Sequence, residues 1–358
     1  MNNDNRDISI DILRGIAIFI MLGANVVGYV TPCENHPIWF DIYSSYAAPI
    51  FILIAGYMTA VNSYKKHTSL LYYAKRGGLL IITAAIIDTI LWQQIPFVSF
   101  DVLYIIGIGI IVVFLLEKKP VWIKSCFVIT VLVITAIMQK YLEYAEYPIE
   151  IELFSDQSDF SDLTCIGAFK GLLFDGWFPI FPWITFPILG SIMAHYRNKW
   201  NNSTANLKTF IPGIMLTVIG FVWLYLGYTS KTAENAFDLL IKREPYGEIF
   251  YPATIAYILT GIGIILFLFS FVDKTRNAVM WKPLIFFGRT ALFNYILHTA
   301  IVAYFIYPFF EDNPKNLSAG WITYVLMVLI CFVCSVAIQI IKKKIKTKNF
   351  FFNFYFGG

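Results

Sequence analysis

Ten runs of about twenty mostly apolar residues, spread from one end of the chain to the other, confine it to a bundle of membrane-crossing helices. A spanning helix needs about 20 such residues, and the runs fall near 9–29, 46–63, 78–96, 101–117, 121–139, 178–196, 209–228, 249–272, 283–307 and 319–341. The fourth and fifth are short and close together. With 58% hydrophobic and 14% charged residues over 358 positions, the chain carries more apolar surface than one soluble core can bury. The expected fold is an all-α polytopic membrane protein, a single domain over 1–358 with no soluble appendage, repeat or low-complexity linker.

Basic residues between spans favour the cytoplasmic side, and here they divide unevenly. If the chain starts inside, the inner segments hold 20 of the 27 Lys and Arg, from Arg6 and Arg14 through Lys124 and Arg197 to the tail Lys342–Lys348. Acidic residues lean the other way: Glu143, Glu146, Glu150, Glu152, Asp156, Asp159 and Asp162 crowd one outer loop, roughly 140–177, and Glu234, Asp238, Glu244 and Glu248 another. Both termini are therefore expected in the cytoplasm and the protein in the cell membrane. The first span lacks a small-residue cleavage pattern and is expected to stay.

The same residues exclude several functions. No GxxxxGK[ST] loop, HExxH helix or GxSxG elbow is present, so ATP-driven pumping and the common hydrolase mechanisms lack their parts. No metal site is expected, and the net charge of +4 reflects topology rather than a nucleic-acid surface. Cys33 and Cys165 fall in outer loops and are candidates to pair; Cys331 and Cys334, though spaced as CxxC, lie in an apolar run where an inert role is expected.

Charge in or beside a membrane helix is costly, so residues retained there tend to hold ligands or do chemistry. The richest such stretch opens the chain: RDISIDILRG, then AIFIMLGANVVGY, then His36 in a short polar loop. Asp11 and Arg14, three apart, share a helix face, either as an ion pair or with the arginine fork directed at phosphate or carboxylate. Asn25 lies about 16 Å further along the axis, as a helix–helix hydrogen bond or a substrate contact. His36 is the side chain best suited to exchange protons near neutral pH. Arg289 follows Gly288 inside an apolar run and requires a polar partner or a route to the interface.

This segment, with HPIWF and PIFILIAG after it, resembles the catalytic region of the heparan-α-glucosaminide N-acetyltransferase family. The spacings that carry the likeness are Arg14 to Asn25, His36 to Trp39, and His36 through Pro49 and Phe51 to Gly56. It is densest over residues 6–60 and continues through DVLYIIGIGII (101–111), FPIFPWITFPILGSIMAHY (178–196) and FFGRTALFNYILHTAIV (286–302). Integral membrane O-acyltransferases share the Arg-Gly opening but usually carry histidine where this chain has Asn25. Relatives of the N-acetyltransferase branch tend to carry an acidic residue nine positions after the loop histidine; here Ser45 stands there, with Asp41 nearby.

The resemblance implies transfer of an acetyl group from cytoplasmic acetyl-CoA to an amino sugar or glycan on the far side of the bilayer. Arg14, Arg76 and Arg289, with Asp11 beside them and Lys282 near, would hold the phosphates. His36 would serve as general base or covalent carrier, Asn25 as donor to the thioester oxygen, and Trp39 and His298 as further contacts. Polysaccharide O-acylation and small-metabolite transport remain alternatives, and a homodimer stays open.

Overall fold

The computed structural model describes residues 6–32, 35–66, 69–142, 148–154, 165–200, 207–229, 250–251, 253–311, 313–345 and 349–357. Among the described residues sixteen α-helices follow one another: α1 Ile8–Val30, α2 Ile38–Ser44, α3 Ala47–Lys66, α4 Leu70–Ile86, α5 Val102–Glu117, α6 Val121–Tyr141, α7 Cys165–Lys170 and α8 Ile180–Trp183. Then come α9 Thr185–Lys199, α10 Leu207–Thr229, α11 Ile255–Thr275, α12 Lys282–Arg289, α13 Ala291–Ile301, α14 Tyr307–Phe310, α15 Leu317–Ile345 and α16 Phe350–Tyr355. Among the described residues the only β feature is an isolated bridge between Gln94 and Glu152.

Among the described residues eight helical stretches are long and apolar enough to cross a membrane, and two shorter apolar helices, Val102–Glu117 and Thr209–Leu224, occupy the other two expected segments. Polar side chains start the helices where the sequence supplies them. Asp7 caps α1 by accepting from the Ser9 amide at 3.1 Å, and Asp101 caps α5 by accepting from Val102 at 2.6 Å. Each carboxylate satisfies a backbone donor that has no partner within its helix.

Where two apolar helices meet in a bilayer, small residues allow their backbones to touch. α1 and α12 use this at two places: a Cβ on Gly15 would overlap the Leu284 carbonyl, and one on Gly288 would overlap the Asp11 carbonyl. α3 and α9 approach in the same way at Gly56 and Gly190. Gly288→Ala is therefore expected to destabilise the protein by about 3 kcal/mol, the upper range for overpacking, read as a lower thermal midpoint in detergent.

The expected span 283–307 is not one continuous helix. It breaks at Thr290, where φ is −121° and ψ 32°. The Thr290 hydroxyl donates within a buried polar knot: it lies 3.0 Å from the Phe286 carbonyl and 2.9 Å from Ser335 Oγ, which Asn294 also contacts. Arg289 consequently ends α12 and does not sit inside a span.

Two charges expected in inner loops are buried instead. Lys124 is 3.0 Å from Glu117 and 2.7 Å from Ser191. Arg197, fully buried at the end of α9, donates to Asp7 before α1, to Tyr57 on α3 at 2.7 Å and to Asp273 on α11 at 2.7 and 3.1 Å. One guanidinium fork thus joins four segments at the end of the bundle where α1 begins. Cys33 and Glu34, most of the outer acidic loop, and residues 230–249 lie outside the described residues, as does the Cys165 side chain.

Candidate active site

At the end where α1 starts, the bundle opens into a cavity of about 1390 Å³. Arg6 and Arg14 line it from the start of α1, Arg76 from α4, Arg276 from beyond α11 and Arg289 from α12. Deeper in, the lining turns aliphatic and aromatic at Phe51, Val102, Leu103 and Ile106, and it includes Tyr295 of α13. Lys282 is exposed and does not line the cavity.

Asp11 is buried in the wall, but Arg14 is not its partner. Its carboxylate accepts from Arg6 at 2.7 and 3.0 Å and from Arg289 Nε at 3.3 Å. The α1–α12 backbone contact at Gly288 brings Arg289 to this carboxylate. Arg14, one turn beyond Asp11, makes no hydrogen bond or ion pair among the described residues, and its guanidinium remains a donor fork for a ligand. Of the two sequence readings of Asp11 and Arg14, the hydrogen-bonded pair gives way to an Arg6–Asp11–Arg289 cluster that holds two cavity arginines in place and leaves Arg14 available.

Tyr295 leads from the cavity to the next group. Its hydroxyl donates to Asp101, and its ring lies edge-on to His298 at 5.4 Å. His298 is fully buried, with Nδ1 3.0 Å from the Asn294 carbonyl and Nε2 2.8 Å from Asn25 Nδ2. A carbonyl only accepts, so Nδ1 carries the proton and Nε2 accepts from the Asn25 amide. Two residues 273 apart in sequence are therefore one hydrogen-bonded unit. One Asn25 amide hydrogen is committed to His298, and the second is left for another acceptor.

His36 occupies a separate position beyond the far end of α1. Nε2 lies 3.1 Å from the Thr31 carbonyl and Nδ1 lies 3.3 Å from Asp41 Oδ1, with the side chain only 4% exposed. Asp41, five residues on, supplies the acid missing at position 45; Ser45 instead donates to the Asp41 carbonyl at 2.6 Å and closes the turn of α2. Phe40 packs edge-on to the imidazole at 5.3 Å. Trp39, more than half exposed, stacks on Trp321 of α15 at 5.7 Å.

The candidates thus fall into three groups strung along α1: Asp11, Arg14, Arg76 and Arg289 at the cavity; Asn25 with His298; and His36 with Asp41 and Trp39. Neither Asn25, His36, Trp39 nor His298 lines the cavity. Tyr295, Asp101, Trp321 and the aromatic residues of α16 were not singled out by sequence. Asp101 carries a visible helix-start signal; the others stand in apolar runs with no local mark.

Residues 6–229, more than half of the chain, match the family described as heparan-alpha-glucosaminide N-acetyltransferase, catalytic. The chain belongs to this family, and its function is of the transmembrane acetyltransferase type. Residues 195–341 also match a family described as a protein of unknown function, DUF418. Among curated proteins no match is found.

Proposed function

We propose that the protein moves an acetyl group from acetyl-CoA, bound on the cytoplasmic side of the cell membrane, to the amine of an amino sugar or glycan on the opposite side. The observation that carries this is the arginine-mouthed cavity, which extends to Tyr295, the residue that packs on the His298–Asn25 unit. At about 1390 Å³ the cavity exceeds the usual 300–1,000 Å³ of small-molecule sites. A long, polyanionic donor suits both its size and its cations.

The donor supplies an activated thioester. Arg14, Arg76 and Arg289 hold its phosphates at the mouth, and the apolar lining guides the thin acyl-bearing arm inward. Asn25, fixed by His298, directs its second amide hydrogen at the thioester oxygen as charge develops there. His36, neutral with its proton on Nδ1 beside Asp41, turns Nε2 away from the Thr31 carbonyl and takes a proton from the acceptor amine. The amine nitrogen bonds to the acetyl carbon, the carbon–sulfur bond breaks, and the thiolate leaves with the donor. Basic residues gathered at the cavity end support a cytoplasmic position for that end.

Arg14→Ala is expected to weaken acetyl-CoA binding about tenfold, since hydrogen bonds to charged groups contribute about 1.5–3 kcal/mol. Titration calorimetry on detergent-purified protein reads this directly. The overall reading is tested in proteoliposomes with labelled acetyl-CoA and either glucosamine or a sugar bearing only hydroxyls. Labelled N-acetyl product supports it; acetylation of hydroxyls alone assigns the protein to O-acyl transfer, and no transfer to either acceptor removes the proposal.

A further inference from the structure

After the lysine-rich end of α15 the chain continues as NFFFNFYFGG, which the sequence presents as no more than the end of a basic tail. In the structure residues 349–357 lie against the cavity. Asn349 caps α16 by accepting from the Phe352 amide at 3.1 Å, and Phe350, Asn353, Phe354 and Gly357 line the cavity wall. The spacing of Phe350, Asn353 and Phe354, three and four, is that of one helix face. Phe351, on another face, is 57% exposed.

The segment is tied down at several points. Tyr355 Oη lies 3.0 Å from Thr83 Oγ1 on α4, and Phe356 packs on Phe293 of α13 at 5.6 Å. Gly357 adopts φ +86°, a region open to glycine, and packs so closely on the Arg289 carbonyl that a Cβ would overlap it. Phe354 is buried, and the Arg76 guanidinium lies 5.6 Å above its ring. A cation over an aromatic face is attracted by the ring quadrupole. Arg76, though exposed, is drawn to one place at the cavity mouth, and a ligand that meets it has less of a long, flexible side chain to order.

We propose that residues 349–357 form a fixed wall of the donor cavity and that Phe354 is a positioning residue, holding Arg76 where it meets the phosphates of a nucleotide-linked thioester. This rests on the donor reading given above and extends it to a segment outside the matched catalytic region. The role concerns capture of the donor, not the chemistry of transfer. Loss of the ring therefore raises the donor KM and leaves kcat at saturating donor nearly unchanged.

The test is CoA titration on the purified full-length protein, paired with transfer kinetics. Phe354→Ala is expected to raise Kd and donor KM about tenfold, with kcat changed by less than about twofold. Phe354→Tyr, which keeps the aromatic face, restores binding. Phe354→Leu, which refills the space without that face, does not. CoA affinity unchanged in Phe354→Ala, or restored equally by leucine, overturns the positioning role. Should the alanine variant fail to fold, Tyr355→Phe loses only the tether to Thr83; a rise in Kd of about threefold is expected, and no change overturns the fixed wall. A full-length unsubstituted protein that binds no CoA overturns the donor reading itself, an outcome visible before any substitution is made.

Discussion

His36→Ala is expected to lower acetyl transfer by a factor of 100 to 10,000, the usual contribution of a positioned general base, while CoA binding stays within about twofold of the parent. The division follows from placement. The imidazole sits beyond the far end of α1, held by Thr31 and Asp41 and packed on Phe40, whereas Arg14, Arg76 and Arg289 line the cavity at the other end. Removing the ring leaves that cavity intact. Single-turnover transfer in proteoliposomes, measured beside calorimetric CoA binding, separates the two effects. Transfer at the parental rate would remove His36 from the mechanism, and parallel loss of CoA binding would mark it as a structural residue.

The largest effect on stability is expected from Arg197→Leu. The guanidinium is fully buried and contacts Asp7, Tyr57 and Asp273 together. Leucine would withdraw the Arg197 guanidinium from the buried Asp273 carboxylate, and breaking such a pair from one side costs about 3–5 kcal/mol. The expected result is a markedly lower thermal midpoint in detergent and poor recovery of folded protein. Arg197→Lys should regain less than half of the loss, because one ammonium cannot reproduce the planar fork that reaches three partners. A midpoint equal to that of the parent would show the cluster to be energetically neutral.

The spans were legible because a bilayer imposes one simple demand, about 20 apolar residues in a row, and the chain meets it repeatedly. The order of groups along α1 was legible for a similar reason: helical rise fixes the separation of Arg14 and Asn25 without any knowledge of neighbours. Pairing across helices was not legible. Nothing in the spacing of Asp11 and Arg14 reveals that Arg6 and Arg289 take the carboxylate, because tertiary packing at Gly288 decides it. Lys124 and Arg197 counted as loop charges for the same reason; each reads as an interfacial cation until the helices that bury it are assembled.

Local breaks were equally hidden. Gly-Arg-Thr inside an apolar run fits a helix, and only the polar knot of Thr290, Asn294 and Ser335 shows why α12 stops there. Asp41 could be noted as a neighbour of His36, yet its distance depends on α2 turning back immediately after the loop. The aromatic residues of α16 had no periodic context long enough to announce a binding face.

The cavity lining runs from Arg6 to Gly357, and this bears on how the protein matures in the membrane. Arg14 and Arg76 are made well before Arg289, Tyr295 and Phe354, which follow some two hundred residues later. A nascent chain that has inserted the matched catalytic region alone lacks part of every cavity wall that α12, α13 and α16 provide. On the donor reading proposed above, capture therefore waits until α12, α13 and α16 have been made and packed.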